Sequence, residues 1–196
     1  MSATFADDSV LVTDFDVQPA GIETAIAPNS ASDIGDRMIL VPQEPDPNIS
    51  DIDIKKLVAH KAKTRNVVVI VPSAFRAKFW RDIAQLTMTA DSLEEGVTRL
   101  NEGHVGVALV INKYDGIDLP NDACRVLVLD GLPDVRRNID RVEQSCLQSS
   151  KLFVGKSIQQ IEQGMGRGVR ATDDYCVVLL MGRSLVGHLF NNAGVS

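Results

Sequence analysis

Asn66-Val67-Val68-Val69-Ile70-Val71-Pro72 sets five consecutive β-branched residues between an amide and a proline. Branching at Cβ stiffens χ1 and favours the pleated strand. The run has no polar alternation, so both of its faces must be covered. A strand apolar on both sides is the signature of a parallel sheet with helices packed above and below.

The flanking sequence repeats that logic. Arg37-Met38-Ile39-Leu40-Val41-Pro42 is a shorter apolar run stopped by proline. After the Pro45-Asp46-Pro47 loop, Ser50 or Asp51 caps a helix expected to reach Thr64, with Ile54, Leu57 and Val58 on its inner side. A second helix is expected from Ala74 to Gln85, then a short strand over Leu86–Thr89 and a helix opened by Asp91 or Ser92 that runs to Asn101. Val105–Ile111 and Arg125–Leu129 read as buried strands, Val135–Leu147 as a helix, and Tyr175–Met181 as a last buried strand. Ser157 with Gln160 three residues on forms a capping-box pattern. Strands alternating with helices define a doubly wound α/β domain. Ligands in such sheets gather at the carboxyl ends of the strands. That places attention on the loops starting at Pro72-Ser73, Asn112-Lys113, Asp130-Gly131 and Met181-Gly182.

Composition narrows the function classes. The 196 residues are 44% hydrophobic but only 5% aromatic, which argues against nucleic-acid binding dominated by base stacking. The net charge of −6 is unevenly spread. Residues 1–54 hold eleven acids and one arginine, whereas the rest holds nineteen basic residues against fifteen acids. A mildly basic body therefore follows an acidic lead-in. Cys124, Cys146 and Cys176 are widely spaced and odd in number, and no CxxC occurs. A zinc site or disulfide framework is not expected, and a reducing cytoplasm is the natural setting. His60, His104 and His188 are scattered and read as structural or solvent-facing, so no metal site is expected. No signal peptide and no apolar run near 18 residues occurs, so no membrane partner is expected.

The chemistry concentrates in two stretches. In Gln163-Gly164-Met165-Gly166-Arg167-Gly168-Val169-Arg170, the glutamine and two arginines stand at i, i+4 and i+7. At about 100° per residue they share one helical face, opposite Ile158, Ile161, Met165 and Val169. Each glycine costs a helix interior about 1 kcal/mol relative to alanine, so three of them mark a backbone that something approaches closely. Two fixed cations on such a face suit a polyphosphate; two solvated arginines on an exposed helix are the competing reading. The second stretch, Asn112-Lys113-Tyr114-Asp115-Gly116-Ile117-Asp118, leaves a buried strand. Asp118 could accept from a ribose hydroxyl while Asn112 and Lys113 meet a phosphate; an ordinary polar turn is the competing reading. Gly155-Lys156-Ser157 is not a phosphate-binding P-loop, because position 150 is Ser where the pattern needs Gly. GxGxxG is likewise not completed around Gly164 and Gly166.

These residues resemble the second RecA-like domain of superfamily 2 helicases. Gln163, Gly166, Arg167 and Arg170 are similar to motif VI, Asp115-Gly116-Ile117-Asp118 to motif V, and Val67–Ser73 with Arg76 to motif IV. The opening glutamine resembles the DNA-repair and restriction-type branches more than the DEAD-box proteins. The resemblance implies a RecA-like parallel sheet with helices on both faces over residues 37–196, preceded by a lead-in over 1–36. It implies that Arg167 and Arg170 act as arginine fingers on ATP held by a first RecA-like domain, and that Gln163, Gly116 and Asp118 serve the nucleotide. Ser73, Arg76, Asn112 and Lys113 are then expected to meet nucleic acid, DNA or else RNA. The chain contains no GxxxxGK[ST] and no Asp-Glu-x-His box. ATP and Mg²⁺ are therefore expected only in a complete protein, and the chain alone is expected to be inactive. It is expected to be either a fragment of a longer helicase or a remnant pairing with another subunit. A non-catalytic α/β interaction module derived from such a domain is the alternative.

Overall fold

Val67–Val71 forms strand β2, and all five residues are buried. In the computed structural model, which describes residues 36–113, 119–132, 174–182 and 185–186, β2 lies inside a six-stranded sheet. Its partners are β1 (Asp36–Leu40), β3 (Leu86–Met88), β4 (Val107–Ile111), β5 (Val126–Asp130) and β6 (Tyr175–Met181). The spatial order is β1-β6-β5-β2-β4-β3, and every pairing is parallel. The expected RecA-like, doubly wound architecture is therefore present.

Period-2 alternation divides the core between the two faces. Val68 and Ile70 of β2 join Ala108, Val110, Leu127, Leu129, Val178 and Leu180 on one side, where helix α3 (Leu93–Glu102) adds Leu100. Val67, Val69 and Val71 join Leu109, Val128 and Met181 on the other. There α1 (Asp51–Lys61) contributes Ile54 and Val58, and α2 (Ala74–Trp80) contributes Ala77 and Trp80. Ser50 caps α1 through a reciprocal exchange with Asp53. Leu57, expected inside, is 44% exposed. It lies about 80° from the centre line of Ile54 and Val58, at the margin of the buried stripe.

Helix α2 stops at Trp80, short of the expected Gln85. Gln85 instead pairs with the start of β4: its N–H donates to Val107 O (2.9 Å) and its side-chain oxygen accepts from Val107 N (2.7 Å). Strand β4 begins at Val107 and not at Val105, because the N–H groups of Val105 and Gly106 both donate to Asn66 Oδ1 (2.7 and 3.2 Å). The two Asn66 Nδ2 hydrogens are shared among the carbonyls of Leu100, Gly103 and Asp122, with Leu100 the longest contact at 3.3 Å. One buried amide thus ties four backbone segments at the amino end of the sheet.

Cys124 and Cys176, remote in sequence, are both buried free thiols in one core cluster. The neighbouring Cys176 thiol and burial push the Cys124 thiol well above its ordinary range, which leaves it inert at neutral pH. His60 is exposed and His104 meets the Ala62 carbonyl (2.8 Å), as the structural reading expects. All described residues belong to the compact unit Ile34–Ser196. The expected lead-in thus lies outside them except for Asp36, as do the expected helix over 135–147, the cap at Ser157, Cys146 and His188.

Candidate functional site at the carboxyl ends of the strands

The strand order fixes where a cleft can form. From β2 the chain travels toward β3 at one edge, and from β5 it moves the opposite way to β6. Strands β2 and β5 are neighbours, so the topological switch point lies between them. Two of the anticipated loops, Pro72-Ser73 and Asp130-Gly131, flank it. The other two leave the neighbouring strands, Asn112-Lys113 after β4 and Gly182 after β6.

Backbone conformation at this rim is tightly specified. Gly131 and Gly182 both turn in the left-handed region, at φ +101° and +96°. A Cβ on Gly182 would lie 3.5 Å from the Gly131 backbone, an ordinary contact, so it is the left-handed φ and not crowding that favours glycine there. Asn112 takes φ +50°, which asparagine tolerates better than most residues, and its N–H donates to Val71 O (2.7 Å). That bond ties the turn after β4 to the end of β2. Lys113 follows and is half-buried.

Ser73 caps α2: its Oγ accepts from Arg76 N–H (3.3 Å). The Arg76 side chain turns inward toward the switch point. Nε donates to Asp130 Oδ2 (2.6 Å) and Nη2 to Asp51 Oδ2 (2.5 Å), and the guanidinium covers the Phe79 ring at 4.5 Å. Trp80 Nε1 donates to the same Asp130 oxygen (2.6 Å). Gln43 extends the network, donating to Asp51 Oδ1 (2.9 Å) and accepting from Gly182 N–H (3.3 Å). Lys55 donates to the Phe79 carbonyl and pairs with Asp82 (2.5 Å), which stitches α1 to α2.

The electrostatics of this pair pull in two directions. Burial lowers the Arg76 pKa, but the bonds and charges of Asp130 and Asp51 outweigh it and the net shift is upward. Burial raises the Asp130 pKa, against the lowering action of Arg76 and Trp80. The geometry decides for the ionised pair, because two donors converge on one oxygen that must accept from both. Desolvation remains the largest influence on Asp130, which is 2% exposed.

Arg125 makes a counterpart at the amino end of the sheet. It bonds Asp122 and Asp174 (2.8 Å each) and lies over the Tyr175 ring at 4.1 Å. Far from the strand-end loops, this cluster serves the sheet's framework.

The structure therefore brings Ser73, Arg76, Asn112 and Lys113 to one rim. Gly116, Asp118, Gln163, Arg167 and Arg170 lie outside the described residues. Sequence reasoning marked the Asp130-Gly131 loop but gave Asp130 no role, and it gave Asp51 only a capping role. The available signal was an acid closing a strand whose other four residues, Val126–Leu129, are all apolar. Among the described residues, no group of three or more His, Cys, Asp or Glu side chains could hold a metal. No helix among them is long and apolar enough to cross a membrane.

The all-parallel, doubly wound sheet with helices on both faces and its loops gathered at the carboxyl ends is the architecture expected of a RecA-like domain. Residues 53–191 match the helicase C-terminal domain family, and the chain belongs to that family. Among solved structures, the chain is similar to an XPD helicase at 17% identity and a TM-score of 0.51, covering 83% of this chain and 34% of that one. It is similar to apo XPD at the same identity and TM-score, over 83% of this chain and 39% of that one. RecG bound to a three-way DNA junction aligns at 13% identity and a TM-score of 0.43, over 85% of this chain and 21% of that one. The chain thus spans between a third and two fifths of the length of the XPD structures. Comparison with curated proteins gave no match.

Proposed function

We propose that the chain is the C-terminal motor half of an ATP-dependent helicase or translocase acting on nucleic acid, with DNA the favoured substrate. Its role is to complete an ATP site whose phosphate cradle and Mg²⁺ ligands belong to a partner RecA-like domain. The observation that carries the reading is membership of the helicase C-terminal family over a span that includes Gln163, Arg167 and Arg170. In this reading Arg167 and Arg170 reach across the domain boundary and stabilise negative charge developing on the transferred phosphoryl group. Such a cation is worth about 10³–10⁵ in rate where its removal has been measured in phosphoryl-transfer enzymes. Gln163 contacts the nucleotide, and Gly116 and Asp118 couple the ribose side to the strand side.

The rim described above supports a path for the strand. Ser73 Oγ spends a lone pair on Arg76 N–H and keeps its own hydrogen for a phosphate oxygen. Asn112 and Lys113 stand two strands' width from β5 at the end of β4, where a phosphate backbone can cross the sheet edge. The absence of GxxxxGK[ST] in the sequence supports a reading in which a partner domain holds the ATP phosphates.

Binding of a fluorescent (dT)₂₀ strand to the chain, measured across a salt series, tests the proposal. Phosphate contacts release counterions, so affinity should fall steadily as salt rises. Salt-independent binding, or none at low salt, would favour the interaction-module alternative. The chain alone should show no Mg²⁺-dependent ATP turnover, and appreciable turnover would contradict the division of labour.

A further inference from the structure

Doubly wound sheets bind ligands at the switch point, and there this chain sets an arginine that is already ion-paired. The Arg76 guanidinium lies between Asp130 and Asp51, with the Phe79 ring against its face and Trp80 sharing its carboxylate partner. Two carboxylates around one guanidinium leave the trio with a formal charge of −1. A phosphate approaching Arg76 would therefore have to compete with two carboxylates already bonded to it. To bind it, Arg76 would have to abandon Asp130, a carboxylate 2% exposed that also accepts from Trp80 Nε1. Removing the charge partner of a buried ion is among the more costly local changes a protein can undergo.

The three anchors come from three different elements. Asp51 opens α1, Arg76 and Trp80 belong to α2, and Asp130 ends β5. The Arg76 backbone N–H meanwhile holds the Ser73 side chain at the rim (3.3 Å). A fork of N–H donors is the group that can satisfy two carboxylates from different directions at once, which a lysine ammonium on a flexible stem does less well.

We propose that Arg76 is a positioning residue and not a phosphate contact. Asp51 and Asp130 hold its charge away from nucleic acid, and the resulting triad fixes α1, α2 and the end of β5 so that Ser73 is presented at the rim. This rests on the reading that a strand crosses that rim. It departs from the role that the motif IV resemblance gives Arg76.

Two measurements separate this inference from that reading. The first is (dT)₂₀ affinity against salt for the whole 196-residue chain and its Arg76→Gln and Asp51→Asn variants. Each phosphate contact on a single strand contributes about 0.7 to the slope of log K against log salt. Arg76→Gln should leave that slope unchanged. Asp51→Asn, which unmasks the guanidinium, should steepen it by as much as one contact. Flattening by about 0.7 in Arg76→Gln would overturn the proposal. The second is the NMR signal of the Arg76 Nε–H in the unmodified chain, which requires no variant to fold. A slowly exchanging Nε–H that (dT)₂₀ does not shift supports the triad. A rapidly exchanging one, or one moved by the strand, overturns it. If (dT)₂₀ does not bind at any salt, the nucleic-acid reading fails. Protection of the Nε–H then still decides whether the charge is held.

Discussion

Asn66→Ala is the substitution whose cost the structure specifies most fully. The wild-type side chain accepts from Val105 N (2.7 Å) and Gly106 N (3.2 Å), and shares its two amide hydrogens among the carbonyls of Leu100 (3.3 Å), Gly103 (3.0 Å) and Asp122 (3.0 Å). The site is buried, so alanine strands two N–H groups and weakens three carbonyls at once. An orphaned buried polar group costs about 1–3 kcal/mol, and water entering the gap recovers part of that. The expected loss is about 3–5 kcal/mol, a large share of a typical domain stability of about 5–15 kcal/mol. At about 2–4 °C per kcal/mol, Tm should fall by roughly 10 °C. Asn66→Asp sharpens the test. It keeps the acceptor for both N–H groups but points a second carboxylate oxygen at three carbonyls. Those carbonyls and burial should raise its folded pKa above the unfolded value. Stability linked to protonation is then fully present below the unfolded pKa and lost as pH rises through the folded one. Urea unfolding should show Asn66→Asp strongly destabilised at pH 7 and substantially recovered at pH 4.5. A loss under 1 kcal/mol for Asn66→Ala, or equal losses for Asn66→Asp at both pH values, would refute this account of the amino end.

Other sites give simpler expectations. Gly96→Ala would place a Cβ 2.2 Å from Met88 Sδ and 2.4 Å from its Cγ, and Met88 is buried. The gain of about 1 kcal/mol in helix propensity should be outweighed by overpacking of about 1–3 kcal/mol, so thermal unfolding should show a lower Tm, not a higher one. Gly182→Ala forces a side chain into φ +96° against the Gly131 backbone and should cost about 1–3 kcal/mol in urea titrations. Trp80→Phe removes a donor from Asp130, whose pKa burial already raises. Because the folded pKa lies above the unfolded one, the destabilisation should grow as pH rises from the acid range toward neutrality. A loss that stays constant from pH 4 to 7 would place the cost in packing alone.

Much of the fold was legible because burial on both faces leaves a direct mark. Val67–Val71 and Tyr175–Met181 carry that mark, and both became strands at the expected positions. Element ends were less legible where a side chain took over backbone bonds, as Asn66 does before β4 and Gln85 does after α2. The rim itself followed from the rule that ligands meet strand carboxyl ends. Its internal wiring did not, since Arg76 meets Asp51 and Asp130 across 25 and 54 residues. No local pattern encodes such a pairing; it exists only once β5 lies beside β2. The cysteines make the same point, because spacing alone kept Cys124 and Cys176 apart while the β5–β6 pairing brings them into one cluster.

The central claim is that this domain completes a neighbour's ATP site through Arg167. Nucleic-acid-stimulated ATP hydrolysis by the complete protein, compared with its Arg167→Ala variant, tests it most directly. Turnover should collapse by about 10³-fold or more while the melting temperature and (dT)₂₀ affinity stay close to those of the parent. Turnover within a few-fold of the parent would contradict it.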